Sequence, residues 1–343
     1  MRKCSIALAV NLSWIIFLWL SLTSQASAET DAEIMPHAGK KDTTTIILTG
    51  DLLLDRGVRR RIEAQQAIAK EINPNSHSKP DFLFSQGVDS VFCHADIVVA
   101  NLECPATNIE EPVFKRFIFR ADPQWLTTLR CHGITHLNLA NNHSIDQGRD
   151  GLTDTYKNIK QAGMAPVGAG ATMKEACQPT LLASSPRNIW LVTSLRMPLE
   201  NYMYLPDKPS VNQEDFEALL DRIRNLRQSQ PKSYIIVSLH WGWEHKLTPT
   251  PDQRQDARRL VDAGADILVC HHTHTMQTIE EYNGHLIYYS IGNFIFDQTK
   301  NINTQACMVE FKVTQEHCSV KTLPIKIINC VPHLIHDNQP AIF

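Results

Sequence analysis

The stretch ADILVCHHTHTMQTIEEYNGHLIYYSIGNF, residues 265–294, is the segment from which the fold is best predicted. Its apolar run at 267–269 is typical of a buried strand, and three imidazoles follow at His271, His272 and His274. Neutral imidazole is the commonest protein ligand for transition metals. A solvated histidine-rich turn has the same local pattern, so this segment alone leaves both a metal site and a polar loop open.

Four earlier apolar runs also end at residues of metal-ligand type. TTTIILTG ends at Asp51, DIVVANL at Glu103 and SYIIVSL at His240. ITHLNLA is followed by Asn142 and His143. Because ligands gather at the carboxyl ends of strands in sheets built from βα units, we expect these endings to converge on one cleft.

The segments between these strands predict an α/β protein. Helical spacing or helix boundaries occur over residues 58–72, 123–131, 152–162, 213–227 and 250–263. Two late runs, 307–313 and 319–328, are expected to form a hairpin that closes a sheet edge. Strands that alternate with helices in this way indicate βα units.

The converging side chains make a mixed oxygen and nitrogen donor set. Two carboxylates, the amide of Asn142 and the imidazoles of His240, His272 and His274 suffice for a two-metal site, with Glu103 as a bridge. Such a set suits Mn, Fe or Zn better than Ca, which prefers oxygen ligands alone. The sequence therefore predicts a dinuclear centre of divalent metal ions.

Length and composition limit the class of protein. The 343 residues, 43% of them hydrophobic, are enough for one large α/β domain or two smaller ones. The net charge is −3, and no basic stripe is present. We therefore expect no nucleic-acid partner.

The amino-terminal residues predict export. Arg2 and Lys3 precede an apolar stretch over 6–22, and Ala26-Ser27-Ala28 follows as a small-residue cleavage pattern. Residues 1–28 are thus a signal peptide or an uncleaved membrane anchor, 29–42 a polar linker, and 43–343 a single domain outside the cytoplasm. Eight cysteines follow the leader, and their spacing fixes no pairing.

Six motifs together carry a family resemblance. TGDLLLDRGV, VVANLE, NLANNH, HWGWEH, CHHTH and YSIGNF, taken in this order over residues 45–297, resemble the CapA family of capsule and poly-γ-glutamate biosynthesis proteins. This family is regarded as part of the calcineurin-like metallophosphoesterase superfamily. The resemblance implies a four-layer α/β/β/α sandwich of the metallo-dependent phosphatase type with a dinuclear metal centre.

The resemblance also implies a role for each ligand. In the superfamily pattern, one metal is bound by Asp51 and His274, and Glu103 lies between the two metals. The other metal is bound by Asn142, His240 and His272. His271 is expected to support these ligands without binding a metal.

Four further residues are candidates for catalysis or substrate binding. His143 is implied to be the acid that protonates the leaving group. Ser290 and Asn293, in the Ser-x-Gly-Asn-Phe motif, are expected at the rim of the cleft. Arg120 lies with Lys115 and Arg116 in a cation-rich loop and is a candidate for binding an anionic substrate, although ordinary surface charge on an edge strand is the favoured explanation of such a loop.

The chain departs from the expected pattern at several positions. Leu53 occupies the place of the first-motif histidine, and Glu103 stands where aspartate is usual. Cys270 and Thr273 replace glycine and proline, and His245 replaces tyrosine. The metal served by His274 therefore lacks one expected ligand and should be the more weakly held.

Two functions of different class follow from these residues. The first is a metal-dependent hydrolase that acts on a phosphoester or on an anionic capsule or envelope polymer. The second is a non-catalytic assembly or export factor that binds the polymer, or partner membrane proteins of capsule synthesis, and keeps the metal site only as structure. An enzyme with a serine nucleophile is disfavoured because no Gly-x-Ser-x-Gly elbow is present.

Overall fold

Sixteen strands and eight helices make up the described part of the chain. The computed structural model describes residues 42–72 and 83–335. The strands are β1 (Thr43–Leu52), β2 (Ile97–Leu102), β3 (His136–Asn138), β4 (Ala165–Val167), β5 (Ala169–Gly170), β6 (Thr180–Ala183), β7 (Ile189–Leu195), β8 (Ser210–Val211), β9 (Tyr234–His240), β10 (Ile267–Val269), β11 (Ile279–Tyr282), β12 (His285–Tyr288), β13 (Asn293–Ile295), β14 (Gln305–Thr314), β15 (Cys318–Ile328) and β16 (Val331–Leu334). The helices are α1 (Arg56–Ile72), α2 (Gln86–Cys93), α3 (Trp125–Cys131), α4 (Gly148–Gln161), α5 (Met173–Ala176), α6 (Phe216–Ser229), α7 (Pro251–Asp262) and α8 (Asn301–Thr304).

The strands form two large sheets, and the predicted α/β class is confirmed. The larger sheet has the order β16-β15-β14-β1-β2-β3-β4, and β13 also pairs with β1. The smaller one has the order β11-β12-β10-β9-β7-β6. Parallel pairing joins β1 to β2, β2 to β3 and β9 to β10, so the strands that precede the predicted ligands end at the same edge within each sheet.

Side-chain alternation along the strands produces three hydrophobic clusters. In β1, Ile47 belongs to a cluster that includes residues of α1 to α4, whereas Ile46 belongs to a second cluster with side chains from both sheets. In β9, Ile236 joins the second cluster and Val237 joins a third, with residues of α6 and α7. Because successive strand residues face opposite sides, both faces of each large sheet are covered by apolar side chains.

Two predicted elements differ from the observed ones. The strand expected over 134–143 is only His136–Asn138, because side-chain oxygens then hold the backbone in turns. Asn138 Oδ1 accepts from the Ala140 amide and Asn141 Oδ1 from the His143 amide, each at 3.0 Å. The predicted hairpin is present as antiparallel β14 and β15, but β16 lies outside it, so the hairpin does not form the sheet edge.

The predicted leader over 1–28, and residues 29–41 of the linker, lie outside the described residues. Among the described residues, no helix is long and apolar enough to cross a membrane. The eight cysteines that follow the leader are all free thiols: Cys93, Cys104, Cys131, Cys177, Cys270, Cys307, Cys318 and Cys330.

A close approach of two backbones places Asp51 beside Asn293. The amide of Asp51 donates to the Gly292 carbonyl at 3.1 Å, and Asp51 is paired in register with Asn293. A Cβ on Gly50 would lie 2.1 Å from the Gly292 oxygen, well inside contact distance. Only glycine at this position lets β13 join the end of β1.

The Gly50→Ala substitution is expected to destabilise the fold. The added methyl group would push β13 away from β1, at a cost of about 1–3 kcal/mol in the free energy of unfolding. Gly87→Ala is the control, because its Cβ would meet only the flexible side chain of Leu334, at 3.3 Å. Urea denaturation of both variants measures the difference, and equal midpoints would contradict the proposed constraint.

Burial of His136 should make stability depend on pH. Desolvation lowers the pKa of this imidazole from 6.5 to about 4. Between these values the unfolded chain binds a proton that the folded chain does not, so stability falls as the pH falls. At about pH 5 the loss should be roughly 2 kcal/mol relative to about pH 7.5. In His136→Gln this component should be absent, and urea denaturation at both pH values tests it; an unchanged pH dependence would refute the assignment.

Candidate metal centre

The structure brings the six predicted metal ligands together at the ends of five strands. Asp51 lies in β1 and His240 at the end of β9, while the other four follow β2, β3 and β10. All six side chains are buried: Asp51, Glu103, Asn142, His240, His272 and His274. The nearest ligand atoms of Asp51, Glu103 and His240 lie within 4.8 Å of one another.

One part of the centre is formed around His240. Its Nε2 lies 2.8 Å from Asn142 Oδ1, 3.1 Å from His272 Nδ1 and 3.1 Å from Glu103 Oε1. Burial is the largest cause that lowers the pKa of His240 and that lowers the pKa of His272 to about 3, so both rings are neutral. One proton on His240 Nε2 cannot be donated to all three neighbouring atoms. A cation, in contrast, would be bound by the lone pairs of His240 Nε2 and of these three atoms together.

The other part is formed by Asp51 and His274. The Nδ1 of His274 lies 3.4 Å from Asp51 Oδ2 and 2.9 Å from Asn293 Oδ1, and its Nε2 lies 3.8 Å from Glu103 Oε2. When Asn293 accepts the Nδ1 proton, the Nε2 lone pair is left for a metal. Burial lowers the pKa of His274, but the Glu103 and Asp51 carboxylates outweigh it and raise that pKa to about 9.

Glu103 lies between the two parts, as a bridging ligand would. Its Oε1 faces His240, and its Oε2 is buried with no hydrogen-bond partner. Burial and the charge of Asp51 raise the pKa of Glu103 well above its ordinary value. Burial also acts to raise the pKa of Asp51, but His271 and His274 outweigh it and hold that pKa well below its ordinary value. A buried carboxylate oxygen without a partner is costly, so this donor set fits a bound cation.

His143 lies beside this centre in a buried chain of polar groups. Its Nδ1 is 2.8 Å from Asp146 Oδ2, and Asp146 Oδ1 is 2.6 Å from Lys115 Nζ. Lys115 also donates to the Asn142 carbonyl at 2.9 Å. Burial lowers the pKa of His143 even though Asp146 acts to raise it. Lys115 lies in the loop that sequence patterns assign to surface charge, and that interpretation is wrong here because its side chain is 2% exposed.

Asn101 is a site residue that sequence patterns missed. Its Nδ2 donates to Asp51 Oδ1 at 2.8 Å, and its Oδ1 accepts from Asn138 and Asn141, each at 3.2 Å. This amide therefore ties β1 to the turns that carry Asn142. The signal was available, because strand alternation puts Asn101 on the same side of its strand as Glu103.

The predicted substrate-binding residues occupy different surroundings. Asn293 contacts His274, whereas the Ser290 hydroxyl accepts from the Gly292 amide at 3.3 Å. Arg120 pairs with Glu110 at 2.5 Å and donates to the Thr107 carbonyl. These side-chain interactions of Ser290 and Arg120 involve none of the six ligands.

Arg56 lies next to two aromatic rings, those of Phe119 and Phe296, that contact histidines of the site. Arg56 lies 5.6 Å from the Phe119 ring centroid and 5.9 Å from that of Phe296. The Phe119 ring packs in a tilted arrangement against His143, with ring centroids 4.3 Å apart, and Phe296 packs in the same way against His274, at 4.7 Å. A partly exposed guanidinium is therefore held beside the aromatic side chains that support both imidazoles.

Fold and site together define an α/β protein with a buried oxygen and nitrogen centre suited to transition metals. A family profile described as bacterial capsule synthesis protein PGA_cap matches residues 45–298. The chain belongs to this family, and the resemblance to CapA proteins is confirmed.

Individual relatives extend over most of the chain. The capsule biosynthesis protein CapA of Bacillus anthracis is 26% identical, and the alignment covers 97% of this chain and 77% of that protein. The PGA biosynthesis protein CapA of Bacillus subtilis is 28% identical, with 85% and 73% covered. Among solved structures, the sulfate thiohydrolase SoxB of Thermus thermophilus aligns with 84% of this chain and 57% of its own, at 11% identity and a TM-score of 0.44, which supports no further inference.

His240→Gln tests the metal centre directly. Loss of the ring that faces Asn142, His272 and Glu103 should weaken binding of Mn²⁺ or Zn²⁺ about tenfold or more. His136→Gln is the matched control, since it changes a buried histidine outside the centre. Metal content after dialysis, measured by inductively coupled plasma mass spectrometry, should fall only in the His240 variant; equal content in both would contradict the assignment.

Proposed function

We propose that the protein is a metal-dependent hydrolase of the phosphoesterase type that acts in the synthesis of an anionic capsule polymer. The observation that carries this proposal is the buried, unpartnered Oε2 of Glu103 between two groups of ligand atoms, with His143 close by. The names of the Bacillus relatives, which refer to capsule and PGA biosynthesis, support poly-γ-glutamate as the type of polymer. Membrane proteins of capsule synthesis are the partners that this context favours.

The proposed centre is dinuclear, with Mn, Fe or Zn as the divalent ions. Asp51 and His274 would hold one ion; Asn142, His240 and His272 would hold the other; and Glu103 would be shared. Such ions, when bound, activate water and polarise a phosphoryl or acyl oxygen. The donor types and their burial support this assignment.

His143 is the proposed general acid. Asp146 accepts at Nδ1, which fixes the ring orientation and leaves Nε2 to carry a proton toward a departing oxygen or nitrogen. Lys115 in turn fixes Asp146, and the Phe119 ring packs against the imidazole. Two contacts of the imidazole, with Asp146 and with Phe119, thus limit the motion of the acid, as efficient proton transfer requires.

The fold and the location of the protein complete the proposal. We propose the layer order α/β/β/α, which is supported by one apolar cluster with side chains from both sheets and two clusters with side chains from helices. We also propose that the folded body works outside the cytoplasm, after export or while anchored, because residues 1–28 have the pattern of a leader. Asn293, Ser290 and Arg120 remain proposed substrate contacts, of which Asn293 is best supported by its position against His274.

Hydrolysis is tested with His143→Gln and His274→Ala. Wild-type protein loaded with Mn, Fe, Zn or Mg should cleave a phosphoester or a polyglutamyl substrate. His143→Gln should lower kcat about 10²–10⁴-fold while metal content stays unchanged, because only proton transfer is lost. His274→Ala should lose metal-dependent cleavage and keep the fold.

The outcome also separates hydrolase from binding factor. Wild-type protein that binds polyglutamate but turns over neither substrate with any of the four metals would show a binding or assembly factor instead. Buried Leu53, in the place of an expected ligand, is the feature that favours this second function. Circular dichroism of each variant excludes unfolding as the cause of lost turnover.

A further inference from the structure

The end of β1 supplies one metal ligand where the superfamily pattern expects two. Leu53 stands at the expected histidine position, and its side chain is fully buried in the apolar cluster that includes α1 to α4. Its amide donates to the Ile295 carbonyl at 2.9 Å, so the backbone is also fixed. The metal served by Asp51 and His274 therefore needs another nitrogen ligand if it is to be tightly held.

His271 places an unpartnered nitrogen at the right point. Its side chain is 3% exposed, and its Nδ1 is buried with no aligned hydrogen-bond partner. This nitrogen lies 3.4 Å from Asp51 Oδ1. The backbone is held on β9, because the His271 amide donates to the Leu239 carbonyl at 2.8 Å and its carbonyl accepts from the Trp241 amide at 3.3 Å.

The distance between the two atoms fits shared coordination better than a hydrogen bond. A nitrogen to oxygen hydrogen bond is normally about 2.7–3.2 Å long. Two ligand atoms that each lie about 2.1 Å from one ion, at a tetrahedral angle, are separated by about 3.4 Å. Asp51 and His271 have this separation. A cation between them would also give the buried Nδ1 a partner in its neutral form.

We infer that His271 Nδ1 is the ligand that takes the place of the imidazole missing at Leu53. The inference rests on the proposed metal centre and adds a residue to it. The ion served by Asp51 and His274 would then have His271 as a further nitrogen ligand and Glu103 as the shared carboxylate. The histidine cluster would thus supply ligands to both parts of the centre.

Two substitutions at this position give a matched test. Asparagine can place an oxygen where Nδ1 lies, whereas glutamine reaches past that point. Metal-free protein is titrated with Co²⁺ and Zn²⁺ against a chelator, and the visible absorption of bound Co²⁺ is recorded. His271→Gln should bind the more weakly held of the two metal ions at least about tenfold less tightly than the wild type does, and its Co²⁺ absorption spectrum should change. His271→Asn should recover part of the affinity, and His136→Gln should match the wild type.

The results distinguish failure of this inference from failure of the proposed centre. Wild-type protein that binds neither ion would overturn both. Tight binding in the wild type with unchanged affinity and spectrum in His271→Gln would overturn only the role of His271, as would stronger binding by His271→Gln than by His271→Asn. Melting of the metal-free variants checks that each is folded.

A measurement on the wild type avoids the need for a folded variant. Anomalous scattering from crystals soaked in Zn²⁺ locates the ions directly. A distance of about 2.1 Å between His271 Nδ1 and an ion would support the inference, and a distance above about 3 Å would overturn it.

Discussion

Two carboxylates buried side by side are the constraint on which the rest of this site depends. Asp51 and Glu103 are both fully buried, and this burial, together with the charge of Asp51, raises the pKa of Glu103. Protein groups offset only part of this cost. Asn101 donates to Asp51 Oδ1, but Glu103 Oε2 has no hydrogen-bond partner, and His274 Nε2 lies 3.8 Å from it. A buried carboxylate oxygen without a hydrogen-bond partner is costly, and a bound metal cation would remove this cost. The four histidines within reach are the residue type that supplies lone pairs to such a charge.

The framework around the carboxylates is rigid where it has to be. β1 and β2 pair in parallel, and Gly50 lets β13 approach β1. The register of these three strands therefore fixes the relative positions of Asp51, Glu103 and Asn293. The backbone is left-handed at His272 and His274, with φ of 94° and 55°. A β-substituted residue adopts such angles at a cost, which the contacts of the imidazoles must offset. The positions of the rings are therefore determined by the fold and not by local backbone preference.

Much of the ligand set could be predicted because it depends on local patterns. An apolar run that ends at Asp51 or His240 is visible in the sequence, and parallel pairing brings such ends together without further information. Lys115 could not be predicted in the same way. Its neighbours Arg116 and Phe117 are exposed, so the loop has the composition of a surface, and only the tertiary fold shows that Lys115 turns inward to Asp146. The role of Arg120 stays a prediction, and its guanidinium pairs with Glu110 of the same loop region.

His271 shows why a cluster of like residues is hard to interpret from sequence alone. Motif spacing assigns His272 and His274 and leaves the remaining ring as a supporting residue. Strand alternation gives a different prediction. Beyond β10 the chain stays paired with β9, through a bridge between His271 and His240. His271 lies an even number of positions after Ile267 and Val269, so its side chain is on the same side of the sheet as theirs, which is the side of the cluster with side chains from both sheets. On this side of the second sheet the His271 ring faces the first sheet and Asp51. The neighbouring Cys270 faces the other side and belongs to the cluster that includes helix residues. In the inferred centre, His271, just beyond the end of β10 in the second sheet, would supply the imidazole that the first sheet lacks at Leu53.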